Sequence, residues 1–109
     1  MSYIKLADLE EREMIPGYRA RLVHTEHMTL VYWTIRAGSP LPEHSHPHEQ
    51  VTNLLEVEFE FSVAGEIRRF SSGMAVVIPS NLPHSGKAIT ACRILDVFYP
   101  ARDDYRHSK

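Results

Sequence analysis

The sequence predicts an all-β protein, a sandwich or small barrel, and three observations predict it. Seven prolines and five glycines are scattered along 109 residues and cut the chain into short pieces. Residues 57–63 alternate strictly, with Val57, Phe59, Phe61 and Val63 against Glu56, Glu58, Glu60 and Ser62, the pattern of a half-buried strand. A helical period shows only weakly, at Leu6, Leu9 and Glu13, enough for one turn. Short strands separated by turn signals, with no linker, repeat or low-complexity stretch, read as one all-β domain over residues 1–109.

Taken in order, Tyr18–His24 and Met28–Ile35 read as strands around a Thr25-Glu26-His27 turn. In the second, Val31, Trp33 and Ile35 share one face, and Leu30, Tyr32 and Thr34 the other. Arg36–Pro40 is a turn, and Ala64-Gly65-Glu66 leads from the alternating strand into Ile67–Phe70. After Ser72-Gly73 comes a short, fully apolar strand, Met74–Ile78, stopped by Pro79. Cys92–Tyr99 is the last strand and ends at Pro100; by alternation alone Leu95, Val97 and Tyr99 form its core face and Asp96 is solvated.

Composition narrows the function classes. Twelve Lys and Arg against fourteen Asp and Glu give a net charge of −2. The last ten residues carry +1 and the rest −3, with no block of like charge, which argues against a nucleic-acid or acidic-membrane binder. No apolar run approaches a bilayer span of about 18 residues. The start, Met-Ser-Tyr-Ile-Lys-Leu-Ala-Asp, lacks the layout of a secretory signal, and a single cysteine, Cys92, cannot pair internally, so a cytoplasmic domain is expected. Cys92 reads as a small buried apolar filler.

The chemistry concentrates in Pro42-Glu43-His44-Ser45-His46-Pro47-His48-Glu49-Gln50 and in His84. On an extended segment, residues two apart share a face, separated by about 6.6 Å. His44 and His46 then aim at one point, with bonds of about 2.1 Å for a zinc-like ion, and Gln50 keeps their parity. Glu49 has the opposite parity, and His48 reads as a rim residue turned by Pro47. By itself His-x-His is equally the pattern of two surface histidines. His24, His27 and His107 read as solvated, Arg68-Arg69 as a surface pair, and Trp33 as core rather than a sugar platform.

Gly38, five residues, His44-Ser45-His46, three residues, Gln50, then six residues to Val57 resembles the first motif of the cupin superfamily. Gly73, five residues, Pro79-Ser80-Asn81, two residues, His84 resembles the second. The resemblance implies a double-stranded β-helix, the cupin jelly-roll barrel, with one divalent transition-metal ion (Zn, Ni, Fe or Mn) on His44, His46, Gln50 and His84. It also implies a homodimer formed through sheet edges. Val57 replaces the first motif's closing glycine and cannot comfortably take a positive φ, so that corner must run differently or the strand continue. Asn81 replaces an inner glycine of the second motif but tolerates the left-handed region. Ala88 stands where an asparagine often follows the last histidine. Gln50 stands in place of the commoner glutamate; three imidazoles and an amide leave a cation's charge uncompensated and suit anionic oxygen ligands and Lewis-acid chemistry better than oxidation or dioxygenation.

Leu95-Asp96-Val97-Phe98-x-Pro100-x-Arg102-x-Asp104-Tyr105, together with His44-Ser-His-Pro-His-Glu-Gln50, resembles one cupin group, the small KdgF-type uronate-linearising proteins of pectin and alginate breakdown. That resemblance turns the Asp96 face inward and implies that Asp96, Phe98 and Arg102 line the metal pocket. The implied reaction opens 4,5-unsaturated uronates, a small anionic sugar substrate, to the linear 5-keto form. The alternatives are a cupin that binds a small anion or sugar without turnover, and a cupin enzyme of dioxygenase or isomerase type.

Overall fold

The structure is a computed structural model that describes residues 1–106. A single 3-10 turn, Leu6–Asp8, precedes ten strands. These are β1 (Arg12–Ile15), β2 (Tyr18–His24), β3 (Thr29–Ile35), β4 (Pro40–His44), β5 (Glu49–Glu56), β6 (Glu58–Val63), β7 (Glu66–Ser71), β8 (Ala75–Ile78), β9 (His84–Ala88) and β10 (Cys92–Tyr99); a short helix, α1 (Asp103–Arg106), follows. One antiparallel sheet has the order β1-β2-β3-β10-β5-β8 and the other β4-β9-β6-β7. The chain is therefore the all-β jelly roll expected. Glu13 lies on β1, not on a helical turn.

The two sheets enclose a core of Tyr18, Ile35, Leu54, Phe59, Phe61, Phe70, Ile78 and Ile94. Phe59 and Phe61 face inward on β6, as their alternation requires. One expectation is corrected. On β10 the inward set is Cys92, Ile94, Asp96 and Phe98, and Tyr99 is exposed, so alternation alone chose the wrong face; both faces of this central strand are largely apolar, and the pattern cannot discriminate between them. β8 is apolar throughout yet alternates in burial, with Val77 exposed, because it forms an edge of the six-stranded sheet.

The turn residues behave as their chemistry demands. Gly38 and Gly73 take φ of +80° and +89°, and Asn81 takes +64° without glycine. Val57 has no positive φ; the chain crosses there from β5 in one sheet to β6 in the other, through a cis Glu56–Val57 peptide. The corner thus runs differently from one closed by glycine. Ala88 braces the Gly38 turn through its main chain, accepting from Gly38 N at 2.8 Å. Among the described residues, no helix is long and apolar enough to cross a membrane.

Candidate metal centre

Three histidines from three segments meet at one mouth of the barrel. His44 ends β4, His84 opens β9, and the strand register sets these two residues opposite each other. His46 lies in the bend between β4 and β5, and Gln50 enters from β5, in the other sheet. Their convergence therefore does not come from a single extended segment, as parity reasoning requires: β4 stops at His44 and the chain bends before β5 starts at Glu49. The Asn81 turn pins the bend, because Asn81 N donates to His46 O at 2.7 Å. Candidate ligand nitrogens of His44, His46 and His84 all lie within 4.8 Å of one another.

Hydrogen bonding determines which nitrogen each ring offers. Nδ1 lies 2.9 Å from Pro42 O in His44, 2.9 Å from Leu82 O in His84 and 3.0 Å from His48 O in His46. A carbonyl only accepts, so each Nδ1 carries the proton and each Nε2 keeps its lone pair, the arrangement that orients metal-bound imidazoles. His84 Nε2 is buried with no partner. His46 Nε2 lies 3.0 Å from Gln50 Oε1. Gln50 Nε2 donates to Thr52 Oγ1 at 2.8 Å, and Thr52 donates to Asp96 Oδ1 at 2.7 Å. His46 Nε2 and Gln50 Oε1 are then two acceptors facing each other, an arrangement that a cation between them resolves. Burial, the Arg102 charge and His84 hold the His46 pKa down at about 4, and burial also lowers that of His84, so both remain neutral ligands at pH 7. Three imidazole nitrogens and an amide oxygen fit a divalent transition metal and do not select one.

His44, Gln50 and His84 open onto a cavity of about 420 Å³ that Asp96, Phe98 and Arg102 also line. All seven residues singled out from the sequence thus surround one site. Asp96 is buried; Trp33 Nε1 donates to its second oxygen at 2.9 Å, and burial raises its pKa against these bonds and the Arg102 charge. The Phe98 ring lies edge-on to His46 at 5.5 Å. Arg102 is buried, with its guanidinium over Phe98 and Tyr105 at 4.6 and 3.9 Å. Its Nε and Nη2 already donate to both oxygens of Asp104, at 3.0 and 2.8 Å, so that side of the guanidinium is occupied from within the chain.

Sequence reasoning missed Thr52, Asp104 and the role of Trp33. Thr52 shares the parity of Gln50 on β5 and was open to the same argument; Trp33 is half-buried against the core, as expected, but also lines the cavity and holds Asp96. His48 is half-buried at the rim and outside the three-histidine group. His27 is exposed, whereas His24 is half-buried with Nδ1 2.9 Å from Thr29 Oγ1, which corrects its solvated reading. His107 lies outside the described residues. Arg68 and Arg69 are exposed on β7. Cys92 is buried, and burial pushes its thiol up to about 11.

Comparison with known proteins agrees with this architecture. The chain superposes on KdgF from Halomonas sp. with a TM-score of 0.90 and 28% identity, over 96% of this chain and 98% of that one. It superposes on an RmlC-like cupin from Shewanella frigidimarina with a TM-score of 0.91 and 24% identity, over 96% of each. A Bacillus subtilis oxalate decarboxylase mutant gives a TM-score of 0.80 at 22% identity, over 89% of this chain and 29% of that one; like the Shewanella match, it bears on the fold alone. No curated protein matches. A family model described as a cupin domain matches residues 31–98, which contain both histidine motifs and most of the last strand, and the chain belongs to the cupin family.

Proposed function

We propose that this cupin is a metal-dependent enzyme that opens the ring of 4,5-unsaturated uronates to the linear 5-keto acid. The observation that carries the reading is the placement of a buried carboxylate, Asp96, in the same cavity as the three-histidine cluster, on a tail that resembles the uronate-linearising group. Similarity to KdgF over nearly the whole chain supports it.

In the reaction the anomeric hydroxyl loses its proton, C1 becomes an aldehyde as its bond to the ring oxygen breaks, and the released C5 enolate is protonated at C4 to give the ketone. A divalent ion on His44, His46, Gln50 and His84 supplies an electrophile for the oxygen that gains charge. Asp96 is the proton carrier: burial raises its pKa toward the range in which a carboxyl both takes and returns a proton. Phe98 gives the sugar an apolar wall. Asp104, itself largely exposed, holds the Nε–Nη2 side of Arg102, so a substrate carboxylate either meets the other side of the guanidinium or displaces Asp104.

The test follows loss of the conjugated double bond of unsaturated galacturonate in the ultraviolet, above its spontaneous rate, as purified and after chelation and metal return. Metal-dependent loss is expected, with Asp96→Ala slower by roughly 10²–10⁴-fold while still binding metal. No loss from metal-loaded protein overturns the reading. The occupied Arg102 fork and largely apolar cavity wall favour a second reading, a metal-bearing module that binds a small ligand without turnover; ligand binding without loss of absorbance selects it.

A cytoplasmic homodimer goes with this reading, formed through sheet edges, as the resemblance implies, or through the outer face of the six-stranded sheet. Val23, Leu30, Val97, Val51 and Val77 stand in register across five strands on the outer face of the six-stranded sheet. An uncharged row of this kind is self-complementary about a two-fold axis. Light scattering is expected to give a dimer, which Val97→Lys splits if the face forms it and leaves intact if the edges do; a monomeric parent at micromolar concentration overturns it.

A further inference from the structure

With Asp96 ionised, the hydrogen bonds behind Gln50 have only one consistent direction, and that direction decides what Gln50 offers the metal centre. The two ends of a primary amide are nearly identical in shape, so only its partners distinguish oxygen from nitrogen. Gln50 and Thr52 are adjacent inward residues of β5, and the Thr52 hydroxyl lies 2.8 Å from Gln50 Nε2 and 2.7 Å from Asp96 Oδ1. A hydroxyl has one proton. The Asp96 carboxylate only accepts, and it takes that proton on one oxygen while the Trp33 indole, which only donates, fills the other. The Thr52 oxygen then has nothing but lone pairs for Gln50, and lone pairs select the NH₂ end. The carbonyl oxygen is left toward His46 Nε2, at 3.0 Å. Thr52 is 1% exposed, which shields these bonds from competition by solvent.

We infer that Thr52 is a positioning residue that fixes the Gln50 amide with its oxygen toward the metal centre, so that a side chain that never touches the ion sets the affinity for it. The inference rests on reading Gln50 as a ligand. A valine at position 52 has nearly the shape of threonine and keeps the strand preference, but has no hydroxyl. With it, the amide loses its Thr52 acceptor and keeps only its hydrogen bond to Asp96, a weaker hold against the flip that turns two N–H groups toward the ion.

The experiment is competition-calorimetric binding of Zn²⁺ and Co²⁺ to the full chain, with the visible spectrum of the Co²⁺ form as a second readout. Thr52→Val is expected to weaken binding roughly 10- to 100-fold and to change the Co²⁺ spectrum, and Thr52→Ser to restore both. In a Gln50→Glu background the penalty of Thr52→Val is expected to vanish, because a carboxylate presents oxygen at either end and needs no orienting. Equal affinity and spectrum in the parent and Thr52→Val overturn the inference. So does a penalty that persists undiminished in the Gln50→Glu background, which makes Thr52 a matter of packing alone. Should Thr52→Val fail to fold, Thr52→Ala measured against Thr52→Ser reads the same difference. A parent that binds neither ion removes the metal-centre reading itself, and the role of Thr52 falls with it.

Discussion

Along the same strands, the barrel interior changes character within two residues. β5 presents Gln50 and Thr52 at one end and Leu54 at the other; β10 presents Phe98 and Asp96, then Ile94; β9 presents His84, then Gly86 and Ala88. At the apolar end Leu54, Phe59, Phe61, Phe70 and Ile78 pack on one another, with the Phe59–Phe61 and Phe61–Phe70 rings 4.8 and 5.1 Å apart. At the other end a carboxylate is buried, two acceptors face each other and a buried imidazole nitrogen has no partner. Burial of apolar area stabilises the first end. The second end is held in its costly arrangement by strand register, because the same ladders that align Leu54 with Ile94 align Thr52 with Asp96. The two ends even share a contact: a Cβ at Gly86 would lie 2.4 Å from Phe59 Cε1, so the strand that opens with His84 needs a glycine there to let the core ring pack across it.

If stability resides at the apolar end, truncating its most buried ring must cost the most. Phe59→Ala is expected to lower the unfolding free energy by about 3–5 kcal/mol, read from urea denaturation. A loss below about 1 kcal/mol would show that the apolar end does not carry the fold.

The next effect sharpens the comparison through pH. Burial raises the Cys92 thiol from 9.0 to about 11. The unfolded chain releases this proton first, so stability is complete below pH 9 and falls as pH rises through 11, by up to about 3 kcal/mol for this group. Cys92→Ala is expected to flatten the beginning of that decline, between pH 9 and 10, before Tyr18, whose hydroxyl is also raised by burial, takes over. An unchanged alkaline limb in Cys92→Ala would assign the decline to other groups.

The same contrast explains what could be read from the sequence. Strands with one apolar and one polar face, such as 58–63, are legible because alternation encodes burial directly. β10 misleads because Leu95 and Val97 make its outer face as apolar as its inner one, so the inward direction of Asp96 came only from the resemblance of the tail. The four ligand candidates are legible because the two motifs place glycine, asparagine and proline where the turns require them. Thr52 and Trp33 act on Asp96 from 44 and 63 residues away, and no local pattern records which side chains the ladders bring together; Asp104 meets Arg102 from only two residues away, but two charges at that spacing in a tail do not by themselves indicate a pair.

The smallest expected effect tests the comparison most sharply. Asp96→Asn keeps the volume of the side chain and removes its charge from a buried position. If the polar end were a second core, this change would cost about as much as Phe59→Ala. As the end that spends stability on chemistry, it should change the unfolding free energy of metal-free protein by less than about 1 kcal/mol at pH 7: the gain from no longer burying a charge offsets the weakened bonds from Trp33 and Thr52. Turnover in the ultraviolet assay should still collapse. A destabilisation of 3 kcal/mol or more would mean that Asp96 and its hydrogen bonds hold the barrel together as much as its phenylalanines do, and the division of labour between the two ends would be withdrawn.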